Sequence, residues 1–167
     1  MKKLLLSFIA ITLAMVLSAC GGENKEAEQD TTAKEGASEE TNIKKPLVQY
    51  YMGMVKTINE HDAELNAYEQ AEEPAADMKA AASSSAAAVA EEVQKLEIPE
   101  ELEEQKADME NAVSDIISSY EMKAEELEKD APALDEANEL FAQGVEKLGT
   151  IFENAGLQKP GLAKEVY

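Results

Sequence analysis

The stretch "PALDEANELFAQGVEKLGTIFENAGL", residues 132–157, carries the full pattern of an amphipathic helix. Its apolar residues recur every three or four positions, which places them on one face of an α-helix. Pro132 suits a first helical turn, and Asp135 and Glu136 would face the positive end of the helix dipole. Gly156 suits the left-handed conformation in which many helices end. We therefore predict a helix from Pro132 that ends just before Gly156.

Three further segments repeat this spacing, and a proline stands at the head of each: Pro46, Pro74 and Pro99. Apolar positions run from Leu47 to Tyr68 in the first segment, and the short connections between segments favour antiparallel neighbours. No segment shows the sustained two-residue alternation that is typical of a strand. The sequence predicts an all-α protein, an up-down antiparallel four-helix bundle over residues 46–156.

The second segment, "AADMKAAASSSAAAVAEEV" at residues 75–93, is mostly alanine with three consecutive serines. Alanine has the highest helix propensity, so the segment is either a low-complexity helical spacer or a thin helix that packs closely on its neighbours. We favour the packed helix because methionine, valine and leucine side chains continue the apolar stripe, and we expect it to be the least stable of the four. Ser83, Ser84 and Ser85 lack a base at any spacing that is typical of a catalytic serine.

The first nineteen residues have the layout of a secretory signal, with Lys2 and Lys3 ahead of a short apolar run. The run ends in Leu17-Ser18-Ala19-Cys20, which contains the single cysteine of the chain. This motif resembles the lipobox of bacterial membrane lipoproteins. The resemblance implies that a signal peptide, residues 1–19, is removed between Ala19 and Cys20, and that Cys20 carries a diacylglycerol. Two acyl chains suffice for a stable membrane anchor, whereas one does not.

Residues 20–45 follow as glutamate, lysine, alanine, threonine and glycine, a composition that predicts a flexible acidic tether behind the lipidated cysteine. Residues 157–167 retain Leu157, Leu162 and Val166, so we expect this C-terminal tail to dock on the bundle. The chain has 35 acidic residues against 15 lysines and a net charge of −20. That charge excludes a nucleic-acid-binding surface and disfavours contact with anionic lipid headgroups.

His61 is the single histidine, and it stands in the core phase of the first predicted helix. A di-iron bundle requires a glutamate three residues before the histidine, but residue 58 is isoleucine, and no second histidine or cysteine completes a zinc site. We interpret His61 as an edge residue that bonds Glu60, Glu64 or water. Tyr50 and Tyr51 are adjacent, so at most one is expected to face the core fully, which leaves the other as a candidate contact for a partner.

Two functional hypotheses follow. The first is a non-catalytic protein, held to the extracytoplasmic face of the cell membrane by Cys20, that acts through contacts with an envelope protein. Here the resemblance to small helical lipoproteins of Gram-positive bacteria implies roles such as envelope upkeep or exclusion of phage or plasmids. The alternative is a module that binds an apolar ligand or a metal between the helices near His61. The sequence indicates no cofactor and no catalytic metal site, and an enzyme is the least expected class.

Overall fold

The computed structural model describes the backbone of residues 36–166 and the side chains of residues 43–166. Throughout this part of the chain the protein is all-helical, without a strand. The predicted signal peptide, Cys20 and the first part of the predicted tether lie outside the described residues. The helices in chain order are α1 (Gly36–His61), α2 (Ala63–Gln70), α3 (Ala76–Gln94), α4 (Lys106–Glu128), α5 (Asp135–Asn154) and α6 (Leu162–Glu165), with a 3-10 turn at Glu100–Leu102 between α3 and α4.

Three helix boundaries differ from the prediction. The first helix begins at Gly36 and reads through Pro46, so the last part of the predicted tether is helical. Proline removes one backbone hydrogen bond, while Ile43, one turn before Leu47, packs against the core and extends the apolar stripe backward. The same predicted helix is divided at Asp62 into α1 and α2. The third predicted helix begins at Lys106, because the residues after Pro99 form the 3-10 turn instead.

The end of α5 confirms the predicted glycine cap. Gly156 has a φ of 67°, in the left-handed region where a side chain is disfavoured. The N–H of Leu157 donates to the carbonyl of Phe152, and the N–H of Gly156 donates to that of Glu153, both at 2.9 Å. These two bonds satisfy carbonyls that the helix end would leave unpaired, and they turn the tail back along the molecule.

Helices α3, α4 and α5 pack side by side in alternating directions. Lys79 of α3 donates to the carbonyl of Lys129, just after α4, and Ser83 of α3 donates to the carbonyl of Ala124 in α4. The later residue of α3 thus meets the earlier residue of the α4 segment, so the two helices are antiparallel. On the other side, Tyr120 of α4 meets Phe141 of α5 edge to face, with ring centroids 5.9 Å apart. A single hydrophobic core joins these helices to α1, α2 and the tail. Its fully buried side chains include Leu47, Met54, Ile58, Val89, Met109, Ile116, Leu148 and Leu162.

The alanine-rich helix α3 is packed, not a spacer. It contacts α1, α2 and α4, and its inward face is buried from Ala82 to Val93. Small side chains allow three neighbours to approach one helix closely, which is the physical reason for the composition. The buried residues of α3 are Ala82, Ser85, Ala86, Val89, Ala90 and Val93.

Candidate functional site

Tyr50 and Tyr51 are both buried, although the sequence predicted that at most one of them faces the core fully. Tyr50 is 7% exposed and Tyr51 is 4% exposed, so the expectation of a surface aromatic at this pair is wrong. Adjacent helical residues point about 100° apart, and α1 is enclosed on both sides: Tyr50 faces α3 and α4, while Tyr51 packs edge to face on Phe152 of α5 at 5.5 Å. Burial raises the pKa of Tyr50 to about 12.

The C-terminal tail lies against α1. The Tyr51 hydroxyl donates a hydrogen bond of 2.9 Å to the Glu165 carboxylate, and the Asn59 amide donates one of 2.8 Å to the Glu165 carbonyl. Leu162 is fully buried, and Lys159 bonds Glu146 of α5 at 2.6 Å. Burial first, and then the Glu165 carboxylate, raise the pKa of Tyr51 above its usual value. The tail therefore connects α1 with α5 and covers Tyr51, which is not available to a partner.

His61 is the last residue of α1 and is half-buried. Its position lies about 15 Å along the helix from Tyr51, at 1.5 Å per residue, so the two do not form one site. Among the described side chains, no hydrogen bond of the imidazole to Glu60 or Glu64 is present. His61 contributes instead through its backbone carbonyl, at the point where α1 gives way to α2.

Ser85 of α3 bridges the break between α1 and α2. Its hydroxyl donates to the carbonyl of His61 at 2.5 Å and accepts from the N–H of Leu65 at 3.3 Å. These are the two groups that would bond directly in an uninterrupted helix, four residues apart. A side chain inserted into this ladder is a recognised cause of helix kinks. The serine run thus has a structural role, since Ser83 bonds α4, Ser84 bonds its own helix and Ser85 bonds the α1–α2 break.

We expect Ser85→Ala to lower the free energy of unfolding by about 1–2 kcal/mol, because it leaves a buried carbonyl and N–H without their shared partner. Ser84→Ala is the matched control, since Ser84 is exposed and bonds only Ala80 of its own helix. Alanine's better helix propensity makes that control neutral or slightly stabilising, by up to about 0.5 kcal/mol. Urea unfolding of both variants measures the difference. Equal stabilities would mean that the ladder closes without the hydroxyl.

A polar cluster lies beside this break, inside the molecule. Asp62 is 2% exposed and Lys123 of α4 is 7% exposed. The Lys123 ammonium is 2.8 Å from the Glu69 carboxylate of α2 and 5.7 Å from the ring centre of Tyr120. We call Asp62, Asn66, Glu69, Tyr120 and Lys123 the buried polar cluster.

The surroundings of Asp62 and Tyr120 in the buried polar cluster raise the pKa of each and so favour their neutral forms. Desolvation is the largest cause of the raised pKa of Asp62; Asn66 and Lys123 lower it and Glu69 raises it. Although Asn66 acts on this carboxyl, its amide nitrogen makes no hydrogen bond of good geometry within the described residues. Burial and then the charges of Asp62 and Glu69 raise the pKa of Tyr120, which keeps the phenol neutral. Glu69 and Lys123 form an ion pair in this interior, beside an aspartate whose charged form is disfavoured.

The buried polar cluster joins α2 to α4 and offers little to a substrate. Its cation is already paired, and Asp62 and Tyr120 are almost closed to solvent. The buried polar cluster was not predicted from the sequence, although a signal was present. Lys123 stands three residues after Tyr120 and four before Leu127, and both of these belong to the apolar stripe. Lys123 therefore lies on the buried face of the helix, where a charged side chain requires a partner of opposite charge.

An open groove of about 690 Å³ lies between the end of α3, the segment that follows it, and α4. We call it the α3–α4 groove, and both apolar and charged side chains line it. Its apolar lining residues are Tyr50, Val93, Leu96, Ile98, Val113 and Ile117, and its charged ones are Glu97, Glu100, Lys106, Glu110 and Glu121.

In the region with described side chains, no group of three or more histidine, cysteine, aspartate or glutamate residues could hold a metal ion. Across the same described part of the chain, every helix is too short or too polar to cross a membrane. Comparison with protein families, curated proteins and solved structures finds no match to this chain.

Proposed function

We propose that this chain is a lipid-anchored protein of the extracytoplasmic face of a bacterial membrane, which acts without catalysis by binding another envelope protein. The motif Leu17-Ser18-Ala19-Cys20 after a short apolar run is the observation that carries the proposal. It resembles a lipobox, and a diacylglyceryl group on Cys20 holds the protein at the bilayer. The strongly acidic body is repelled by anionic headgroups, so it stands away from the lipid surface and is open to other proteins.

We further propose that the body is an up-down antiparallel four-helix bundle in which α1 and α2 together count as one helix. The alternating directions of α3, α4 and α5 support this arrangement. The first helix fits it as well, because Tyr51 of α1 meets Phe152 late in α5 whereas the end of α1 meets Ser85 in the middle of α3. Four antiparallel helices with short connections are a common way to bury four apolar stripes.

The anchor is tested with the variant Cys20→Ala in full-length protein. We expect wild-type protein in the membrane fraction with a lipid mass on its N-terminal cysteine, and we expect the variant to be released or to keep its signal peptide. Fractionation and mass spectrometry of the mature N-terminus measure both results. A variant that stays membrane-bound and is cut normally, or a wild-type protein with an unmodified thiol, contradicts the anchor.

Action through contacts is distinguished from ligand binding by two measurements on the same protein. Cross-linking in intact membranes followed by purification of the anchored chain is expected to give one reproducible stoichiometric complex. A thermal-shift screen with divalent metals and apolar compounds is expected to give no saturable stabilisation, because a ligand that binds only the native state raises its stability. Saturable stabilisation by one compound, without a protein complex, would contradict the proposal and support a binding module.

A further inference from the structure

The floor of the α3–α4 groove is apolar, and part of it remains exposed to solvent. Leu96, Ile98 and Ile117 are each partly exposed there, above Val93 and Val113, which are buried. Here the segment after α3 turns toward α1, which it meets through the 3-10 turn, and it leaves the outer face of α4 without a helix across it.

The α4 side of the groove has the length of a short helix. Glu110, Ser114, Ile117 and Glu121 follow one another at steps of three and four, so they form one stripe on α4. At 1.5 Å per residue the stripe is about 16 Å long, or three helical turns. Ile117 is the apolar residue of this stripe and a glutamate stands at each end, so an amphipathic helix of three turns can place an apolar anchor between two cationic side chains.

The rim of the groove is negative, and no lysine among the described side chains neutralises it. Glu97, Glu100, Glu110 and Glu121 are exposed, and in the described region none of them forms an ion pair. Lys106 is the lysine among the lining residues, and its ammonium lies 3.8 Å from Glu103 outside the groove.

Some acids elsewhere on the surface are paired with lysines. Lys95 bonds both Glu91 and Glu92, and Lys159 lies near both Glu146 and Glu153. The groove therefore combines a partly exposed apolar floor with four carboxylates that form no ion pair within the described part of the chain. A partner that supplies lysine or arginine around apolar anchors is complementary to both features.

We propose that the α3–α4 groove binds a basic amphipathic helix of a partner protein, with apolar side chains over Ile117 and Leu96 and cationic side chains on the four rim carboxylates. The inference rests on the proposed function: it names the surface through which the chain binds an envelope protein and the kind of segment that this partner supplies. A strand is a poorer occupant because the described part of the chain offers no sheet edge for it to extend. An anionic ligand such as nucleic acid or a phospholipid headgroup meets the wrong charge.

The probe is a fluorescein-labelled eighteen-residue helix of leucine and lysine, with leucine at helical spacing on one face. A scrambled peptide of the same composition is its control. The receptor is the full mature chain in phosphatidylcholine nanodiscs, with empty nanodiscs as the blank. Fluorescence anisotropy in about 0.15 M salt, where surface charges more than about 8 Å apart are screened, gives the dissociation constants. We expect the amphipathic peptide to bind about tenfold more tightly than the scrambled one, as one good anchor contact is worth that factor.

The matched variants locate the contact. Glu110→Gln with Glu121→Gln is expected to weaken binding about tenfold, since each rim charge contributes to steering and affinity. Glu64→Gln with Glu139→Gln removes the same charge from exposed positions on α2 and α5, and is expected to leave binding within about twofold, because distant exposed charges are screened. Ile117→Ser tests the floor, with circular dichroism as the check that the variant is folded.

Three results would overturn the inference. Equal losses in the two double variants, or equal binding of the scrambled peptide, would indicate non-specific attraction to an acidic protein. Protection of the groove by a second copy of this chain, seen as a dimer in sedimentation that Ile117→Ser abolishes, would replace the partner helix. If the chain proves to be unlipidated, the same titrations are made on the soluble protein, so failure of the groove and failure of the anchor are separate outcomes.

Discussion

Lys123→Met is expected to lower the free energy of unfolding by about 3 kcal/mol, the low end of the range for breaking a buried ion pair. The methionine fills the space of the lysine stem but leaves Glu69 and the almost fully buried Asp62 without a cation. The low end applies because the Glu69 side chain keeps 29% of its surface exposed and can be hydrated in part. Urea unfolding at pH 7 measures the loss.

The loss should shrink as the pH falls. Desolvation already raises the pKa of Asp62 in the folded protein, and removal of Lys123, which lowers that pKa, raises it further. A carboxyl whose folded pKa lies above its unfolded pKa binds more protons when folded, so the free energy of unfolding rises as the pH drops through the folded pKa. The gain continues down to the unfolded value near 3.8. The variant should therefore recover stability relative to wild type on acidification below pH 7.

Two comparisons make this prediction specific to the buried polar cluster. Lys123→Met combined with Glu69→Gln removes both members of the pair and should restore stability to within about 1 kcal/mol of wild type. Lys56→Met removes a lysine from an exposed pair with Glu60, at 3.4 Å, and should cost at most about 0.5 kcal/mol. If Lys123→Met and Lys56→Met are equally stable, the lysine is not needed in the interior.

Gly144→Ala is expected to destabilise the protein by about 2 kcal/mol, although alanine is the better helix former. A Cβ at Gly144 would lie 2.8 Å from the carbonyl oxygen of Ala112 and 2.8 Å from Cγ1 of Ile116. The first of these atoms belongs to the backbone of α4, so the conflict is relieved only if α4 and α5 move apart. That movement loosens the core along the contact between the two helices.

Gly53→Ala makes the same chemical change but is expected to raise the free energy of unfolding, where Gly144→Ala lowers it. Gly53 lies within α1, and a Cβ there would meet nothing within 4 Å. The alanine should therefore stabilise the protein by about 0.5–1 kcal/mol through helix propensity and a less flexible unfolded chain. Thermal and urea unfolding of the two variants should bracket wild type. Stabilisation of both would show that α4 and α5 have room to spare at Gly144.

The helical class and the four main apolar stripes could be predicted from spacing alone, because a stripe must be buried on something whatever its neighbours are. The cap at Gly156 was equally local, since it depends on the conformational freedom of one residue. The start of α1 and the start of α4 were not predicted. Proline was read as a boundary, but tertiary contacts of Ile43 on one side and of the fully buried Leu102 on the other decide where the chain is helical.

The interior contacts required knowledge of which helices are neighbours. Periodicity gives the face of a helix that is buried, but not that α1 is enclosed on two sides, so the burial of both Tyr50 and Tyr51 was missed. Ser85 acts on a carbonyl far away in sequence, and nothing in a run of serines indicates which one reaches it. Lys123 was the exception, because a lysine in core phase could have been recognised without any structure.

The hydrogen bonds of Glu165 with Tyr51 and Asn59 also affect the order in which the protein folds. The contact between the first and last long helices is completed by Glu165, which follows Tyr51 by 114 residues. During synthesis, therefore, Tyr51 stays without its cover until Glu165 has been made, and this sequence-distant pairing forms late. A stop codon at Lys159 would remove the cover and so disturb the first helix.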